Sequence, residues 1–427
     1  MSNLLRESSE QHLVDHENRQ ESYQHAISWL IAWAAFALAA LLGFSRLSYG
    51  LLLPALQLDL GSSFSVLGAL ATVNFAGYLL GTLVVPILLT RAQNRARLNL
   101  LALFATNLLM IVSASSFTIW QLSIWRLQIG FFSAIATILT LTLTLERIYP
   151  QERGLASGLM WMGAAFGLVF SGVIAPLIIS GGLYGGWRLV WVVMGLAGIV
   201  AAIGFFVTIR SSMRMIPRYQ QRQETAGKVP KQRTFWTRQR PLFLPQRLLG
   251  LTLAFFSFGA GYIIYFTFLI ALLERQGVPS LDAGFVWAAI GIAGAISAVI
   301  WGRVLDRYPT GFILALPLAL GVCGSLTVLT NVLAVESSGA ALVGLSAFLG
   351  PPLIIAALLK QAVPDDDYAV NYSMLTTVFA IGQILGPLIG GMVIERLNLQ
   401  AGIATSAVLF GIAALSACGY GLAQRKQ

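Results

Sequence analysis

Residues 43–54 read Gly-Phe-Ser-Arg-Leu-Ser-Tyr-Gly-Leu-Leu-Leu-Pro, and they set an arginine inside a run otherwise fit for lipid. From Ala26 to Leu56 the only other ionisable side chain is the phenol of Tyr49. A charge at bilayer depth costs about 2.5–3.5 kcal/mol on insertion scales, so it turns toward a bundle interior or a watery cavity. Tyr49 lies three residues on, along the same helical face. Arg46 is the first functional candidate, and Tyr49 goes with it.

The composition around that stretch is of one kind. Of 427 residues, 57% are hydrophobic and 10% charged, with mean hydropathy +0.77. Apolar runs of about 20 residues recur throughout, which defines an all-α polytopic membrane protein. Twelve segments can be drawn, at 27–55, 64–90, 98–117, 119–145, 154–180, 187–209, 247–273, 282–303, 311–333, 338–360, 367–394 and 400–423. The polar, acidic tail 1–26 holds all three histidines. His12 and His16 stand at chelating spacing without acid or thiol support, so the tail reads as solvated and no metal site is expected. It also lacks a basic start, unlike a secretory signal. Cys323 and Cys418 lie in apolar runs and read as small buried hydrophobes.

The net charge of +10 is a topology signal rather than a nucleic-acid footprint. With the N-terminus inside, 22 of 27 Lys and Arg fall on the cytoplasmic side, ten of them in 210–247. Both termini are therefore expected in the cytoplasm, with the positive side next to anionic lipid. The basic stretch 210–246 divides six spans from six. It reads as a linker between an N-terminal bundle, 27–209, and a C-terminal bundle, 247–423, with 424–427 as the cytoplasmic end. Repetition supports the halving: Gly43-x-x-Arg46-x-x-Tyr49 aligns with Gly259-x-x-Tyr262-x-x-Tyr265 at an offset of 216. At that offset Pro86-Ile-Leu-Leu-Thr90-Arg91 falls on Gly302-Arg-Val-Leu-Asp306-Arg307.

The chain resembles the major facilitator superfamily of secondary transporters over essentially its whole length. Gly302-x-x-x-Asp306-Arg307 matches the family's loop motif, and Leu122-x-x-x-Arg126-x-x-x-Gly130 its motif around a buried arginine. Gly382-x-x-x-Gly386-Pro387-x-x-Gly390-Gly391 matches the glycine-proline pattern called the antiporter motif. The Arg-x-x-Tyr-x-x-Leu-Leu-Pro of the first span is similar to the bacterial YbfB/YjiJ-like branch. The resemblance implies two pseudo-symmetric six-helix bundles around a central cavity, in a bacterial inner membrane. Two departures matter: Pro86 and Thr90 replace the glycine and aspartate of the first loop motif, and the fifth span has Gly163-x-x-x-Gly167 without Gly-Pro. The first weakens a charge-locked gate in the N-terminal half, the second an antiport label.

The residues themselves sharpen these expectations. By helix rise, Arg46 lies about 8 Å and Arg126 about 9 Å outward of their span centres. Family geometry sets the two on one cavity wall. No Asp or Glu falls deep in any predicted span. An anion shared by the two guanidiniums is therefore the expected partner, against a structural role for Arg126 on helix carbonyls. Tyr262, Tyr265 and Gln383 would face them from the C-terminal bundle, and Asn74 and Tyr78 would complete the lining. For the gate, Asp306 is expected as a latch with Arg307 and Lys360, because a carboxylate at a helix C-terminus needs cations. Gly382, Gly386 and Pro387 read as packing or a hinge, and Pro351 with Pro352 as a break in the tenth span.

The function so implied is alternating-access transport of a small solute, an organic anion, by a monomer without cofactor. If protons are coupled, Glu146 or Glu152 near the cytoplasmic mouth would carry them, or the anion itself. Proton-driven efflux of amphipathic compounds is the alternative, and a sensor without transport the alternative of another class. A membrane enzyme finds no paired acids or Ser/His/Asp cluster. A primary pump finds no phosphate loop.

Overall fold

The computed structural model describes residues 24–149, 151–181, 186–215, 248–308, 310–348 and 350–424. The histidine pair of the tail and nearly all of the basic linker lie outside them. Among the described residues twelve helices are long and apolar enough to cross a membrane. They are α1 (Gln24–Leu60), α2 (Phe64–Arg91), α3 (Arg95–Ser113), α4 (Ile119–Leu145), α5 (Arg153–Ser180), α6 (Gly186–Ser212), α7 (Leu249–Arg275), α8 (Ser280–Leu305), α9 (Gly311–Leu329), α10 (Leu333–Ala362), α11 (Val370–Arg396) and α12 (Leu399–Gln424).

Local chemistry starts and stops them. Ser63, Asn94 and Thr118 each accept a hydrogen bond from a backbone N–H three residues on, at 3.4, 3.0 and 3.3 Å, opening α2, α3 and α4. Gly61, at φ +58°, ends α1 in the left-handed conformation that glycine adopts without strain. In α10 the regular helix stops at Ala347 and resumes at Gly350. Pro351 and Pro352 thus stand in the first turn of the second piece, where a missing N–H leaves no bond unmade. The predicted break is there, and it begins a helix.

The helices form two lobes. In the first, α2 and α3 pack on α4, α3 on α6, and α1 on α5; in the second, α11 and α12 pack on α7, α9 on α12, and α8 and α9 on α10. The lobes meet along α2–α11, α5–α8 and the second half of α1 against α7. The first two pairs are related by the six-helix repeat, so the seam has the pseudo-twofold symmetry that the offset of 216 anticipates. This is the major facilitator arrangement. We call the side carrying Gln24 and Gln424 the terminal face, and the other the distal face.

Small residues let the lobes approach. The Gly50 α-carbon faces the Phe266 carbonyl so closely that a β-carbon would collide with it. Gly68 meets the Pro387 carbonyl in the same way. Two hydrogen bonds cross the seam there, Thr72 Oγ1 to the Ile384 carbonyl at 2.7 Å and Trp287 Nε1 to Ser171 Oγ at 3.2 Å. These contacts lie between mid-membrane and the distal face. Nearer mid-membrane, Arg46, Tyr78 and Tyr262 are partly exposed between the lobes.

Candidate substrate site

Arg46 sits in irregular helix. Ala39–Leu47 is a nine-residue π-helix, with Ser48 N–H donating to the Gly43 carbonyl at 2.9 Å. Such i→i+5 stretches are rare and concentrate at functional sites. Serine hydroxyls support the loosened turns: Ser45 Oγ donates to the Leu41 carbonyl at 2.6 Å and Ser48 Oγ to that of Phe44. Gly43 backs this stretch onto Gly167 and Ala164 of α5. Apolar periodicity does not separate π from α register over nine residues, so the sequence reading missed it.

From this bulge the Arg46 guanidinium reaches across the seam. Its Nη2 donates to Gln383 Oε1 at 2.9 Å, and the Gln383 amide donates in turn to the Tyr262 hydroxyl. Arg46 and Tyr262 are the equivalent positions of the repeat, and one glutamine joins them. The guanidinium carbon also lies 4.2 Å from the centroid of the Phe75 ring and 4.3 Å from that of Tyr78. Arg46 Nε is buried and has no partner. Beside Tyr262 the second lobe offers stacked rings. Phe258 lies 5.2 Å and Phe379 6.1 Å from Tyr262, with interplanar angles of 20° and 4°. The site is therefore one cation, one amide, two phenols and several ring faces. Phe75, Phe258 and Phe379 were missed in sequence, although Phe75 and Tyr78 share the spacing that puts two rings on one helix face.

Arg126, unlike Arg46, is fully buried. It is 1% exposed, its Nη1 donates to the Ser45 carbonyl at 2.9 Å, and its guanidinium carbon lies 4.5 Å from the Tyr49 ring centroid. Tyr49 is buried too and donates to the Leu67 carbonyl at 2.8 Å. Asn74 donates to the Arg126 carbonyl at 2.9 Å, where Gly130 brings α2 and α4 together. Arg126, Tyr49 and Asn74 thus brace α1, α2 and α4, with Arg126 Nε buried and without a partner among the described residues. The reason is that a loosened helix frees carbonyls, and a buried guanidinium satisfies one of them. Tyr265 is also buried, three residues from Tyr262 but within the second lobe, and its hydroxyl has no partner.

The acids differ from expectation. α10 begins at Leu333 rather than 338, and it takes Glu336 inside, 1% exposed, with Oε1 accepting from Gln276 at 2.9 Å. The sequence reading left this residue in a loop; it stands in the first turn of α10, at the distal end, and not deep in the span. Glu146 pairs with Arg95 at 2.9 Å, so of the two expected proton carriers one is committed to an ion pair. Glu152 is exposed at the start of α5. Asp59 accepts from Trp187 Nε1 at 3.0 Å and pairs with Arg188, fastening the distal ends of α1 and α6.

Of the gating candidates, Gly382 and Gly386 press on the Phe256 and Ala260 carbonyls of α7, which is packing within a lobe. Pro387 carries its carbonyl to Gly68 across the seam. Arg307 and Lys360 are exposed at the terminal ends of α8 and α10, and the Asp306 side chain lies outside the described residues. Cys323 is exposed and Cys418 half-exposed, against the expectation of burial; both sit on the outer helices α9 and α12.

This architecture is that of a secondary transporter, and the comparisons agree. Residues 38–422 match the family described as uncharacterised MFS-type transporter YbfB, and the chain belongs to that family. It is 25% identical to a gallate transporter of Pseudomonas putida over 92% of this chain and 90% of that one. Similarity to a chloramphenicol efflux pump of Mycobacterium tuberculosis is 26% over 62% of this chain and 61% of the pump. The 4-hydroxybenzoate transporter PcaK of Pseudomonas aeruginosa is 24% identical over 89% and 92%. The fold superposes on the inward-open xylose transporter XylE of E. coli with a TM-score of 0.72, at 14% identity, covering 92% of this chain and 96% of XylE. The protein is an integral membrane transporter and not an enzyme.

Proposed function

We propose that the protein carries a small organic anion, an aromatic carboxylate, bound by its acid group on Arg46. The single observation that carries this reading is the bond from Arg46 Nη2 to Gln383 Oε1. Among the described residues, the one hydrogen-bond acceptor that this partly exposed mid-membrane guanidinium meets is a neutral amide oxygen, with Nε unused. A carboxylate offers two charged acceptors to the same fork, and such bonds are about twice as strong as neutral ones. The Phe75, Tyr78, Tyr262 and Phe379 rings supply the faces an aromatic body needs. Gallate and 4-hydroxybenzoate, named for two relatives, are molecules of that shape.

The anion displaces the Gln383 oxygen from Arg46 and leaves the amide to Tyr262. Because Arg46 and Gln383 belong to different lobes, that exchange couples binding to the seam. The arginine distribution supports termini in the cytoplasm of a bacterial inner membrane, and the close approaches at Gly50 and Gly68 support a seam shut on the distal side. Charge balance favours proton symport with the anion.

Efflux of amphipathic compounds is the second reading, supported by the chloramphenicol pump and the stacked rings. Proteoliposomes preloaded with 4-hydroxybenzoate decide between the two. The proposal expects counterflow of labelled 4-hydroxybenzoate, competed by gallate and benzoate and not by lipophilic cations. Counterflow competed by lipophilic cations alone selects efflux, and no flux of either solute refutes transport at this site.

A further inference from the structure

We propose that the protein binds one anionic phospholipid in a cleft between α2 and α3, acyl chain inside and phosphate on Arg91 and Arg97. The cleft arises because α2 and α3, though joined by three residues, each pack on α4 rather than on one another. It encloses about 500 Å³ on the membrane-facing side of the first lobe, walled by Val84 and Leu88 on one side and Leu101 and Leu108 on the other, and floored by Phe131. No charged side chain lines it. Packed helices do not leave an apolar void of that size empty in a bilayer, where lipid chains are at hand.

The helix phases make the occupant specific. Along α2 the wall residues Val84 and Leu88 continue, four and then three residues on, into Arg91. Along α3 Leu108, Ala105 and Leu101 lead back, in steps of three and four, to Arg97. Both walls therefore end, at the terminal face, in an exposed arginine. Among the described residues neither arginine side chain has a hydrogen bond or ion pair with protein, whereas Arg95 between them is held by Glu146. An apolar slot with two free guanidiniums at its mouth complements a molecule with a chain at one end and a phosphate at the other. Arginine suits phosphate because its fork offers paired donors. A zwitterionic lipid fills the slot equally well but returns less at the mouth, since its own cation competes for the phosphate. The site is separate from Arg46 and does not depend on what is transported.

The test uses the full chain purified in detergent, titrated with phosphatidylglycerol, with phosphatidylcholine of the same chains, and with inorganic phosphate. Retained lipid is read by native mass spectrometry and stability by thermal shift. One phosphatidylglycerol is expected to be retained in preference to phosphatidylcholine. Surface arginines contribute about a factor of five each, so Arg91→Gln with Arg97→Gln weakens retention by about twenty-five-fold. Ala105→Trp, on a lipid-facing wall and with both arginines intact, fills the slot and removes retention of either lipid. Equal retention of the two lipids by the wild-type protein, or unchanged phosphatidylglycerol binding in both variants, overturns the proposal. A thermal shift reproduced by inorganic phosphate alone also overturns it, since the chain then contributes nothing.

Discussion

Arg46→Gln isolates the central interaction. In the substrate-free protein the side chain makes one hydrogen bond, to Gln383, so the variant loses little of the fold. With a carboxylate bound, the guanidinium gives two charge-assisted bonds, each worth about 1.5–3 kcal/mol net. A glutamine at the same place returns one neutral bond of about 1 kcal/mol. The difference is about 3 kcal/mol, or a factor of about 150 in affinity. Equilibrium binding of labelled 4-hydroxybenzoate to purified protein measures it directly, with thermal unfolding as the control for folding. The complementary change, Gln383→Glu, sets a resident carboxylate against Arg46 and is expected to abolish binding of added acid while raising thermal stability. Affinity within threefold of wild type in Arg46→Gln, at an unchanged melting temperature, refutes Arg46 as the anchor.

Three further expectations follow from the contacts. Gly50→Leu drives the α1 backbone from the Phe266 carbonyl and opens the distal seam; in a background with Cys323→Ser and Cys418→Ser, a cysteine at buried Ser171 gains labelling by an impermeant maleimide, and unchanged labelling removes the seam as a gate. Tyr49→Phe leaves the Leu67 carbonyl without its donor and lowers stability by about 1 kcal/mol, with substrate KM within twofold of wild type; a large change in KM with normal stability would return Tyr49 to the binding site. Asp306→Asn, by the latch proposed from its place at a helix C-terminus, shifts the population toward the terminal-face-open state, which the same labelling at Ser171 reads as a decrease.

The twelve spans, their pairing into two halves and the superfamily were legible in the chain. Hydrophobic length, turn chemistry and the 216-residue offset are local or strictly periodic signals, which survive without coordinates. Arg46 was legible for a related reason: a charge within an apolar run of that length has few places to go. What it meets was not legible. Gln383 lies 337 residues away, and only the crossing of two lobes brings its amide to that guanidinium. Tertiary packing also separated residues that sequence spacing had grouped. Arg126 and Arg46 have similar depth, yet the π-turns of α1 expose the Ser45 carbonyl and Arg126 turns to it. Tyr262 and Tyr265 share a motif and a helix, yet one faces the seam and the other a lobe interior. Depth and spacing fix where a side chain starts along its helix. The rotation of that helix against its neighbours decides which of two environments the side chain enters, and that rotation is set by the sum of contacts along the interface rather than by any residue read alone.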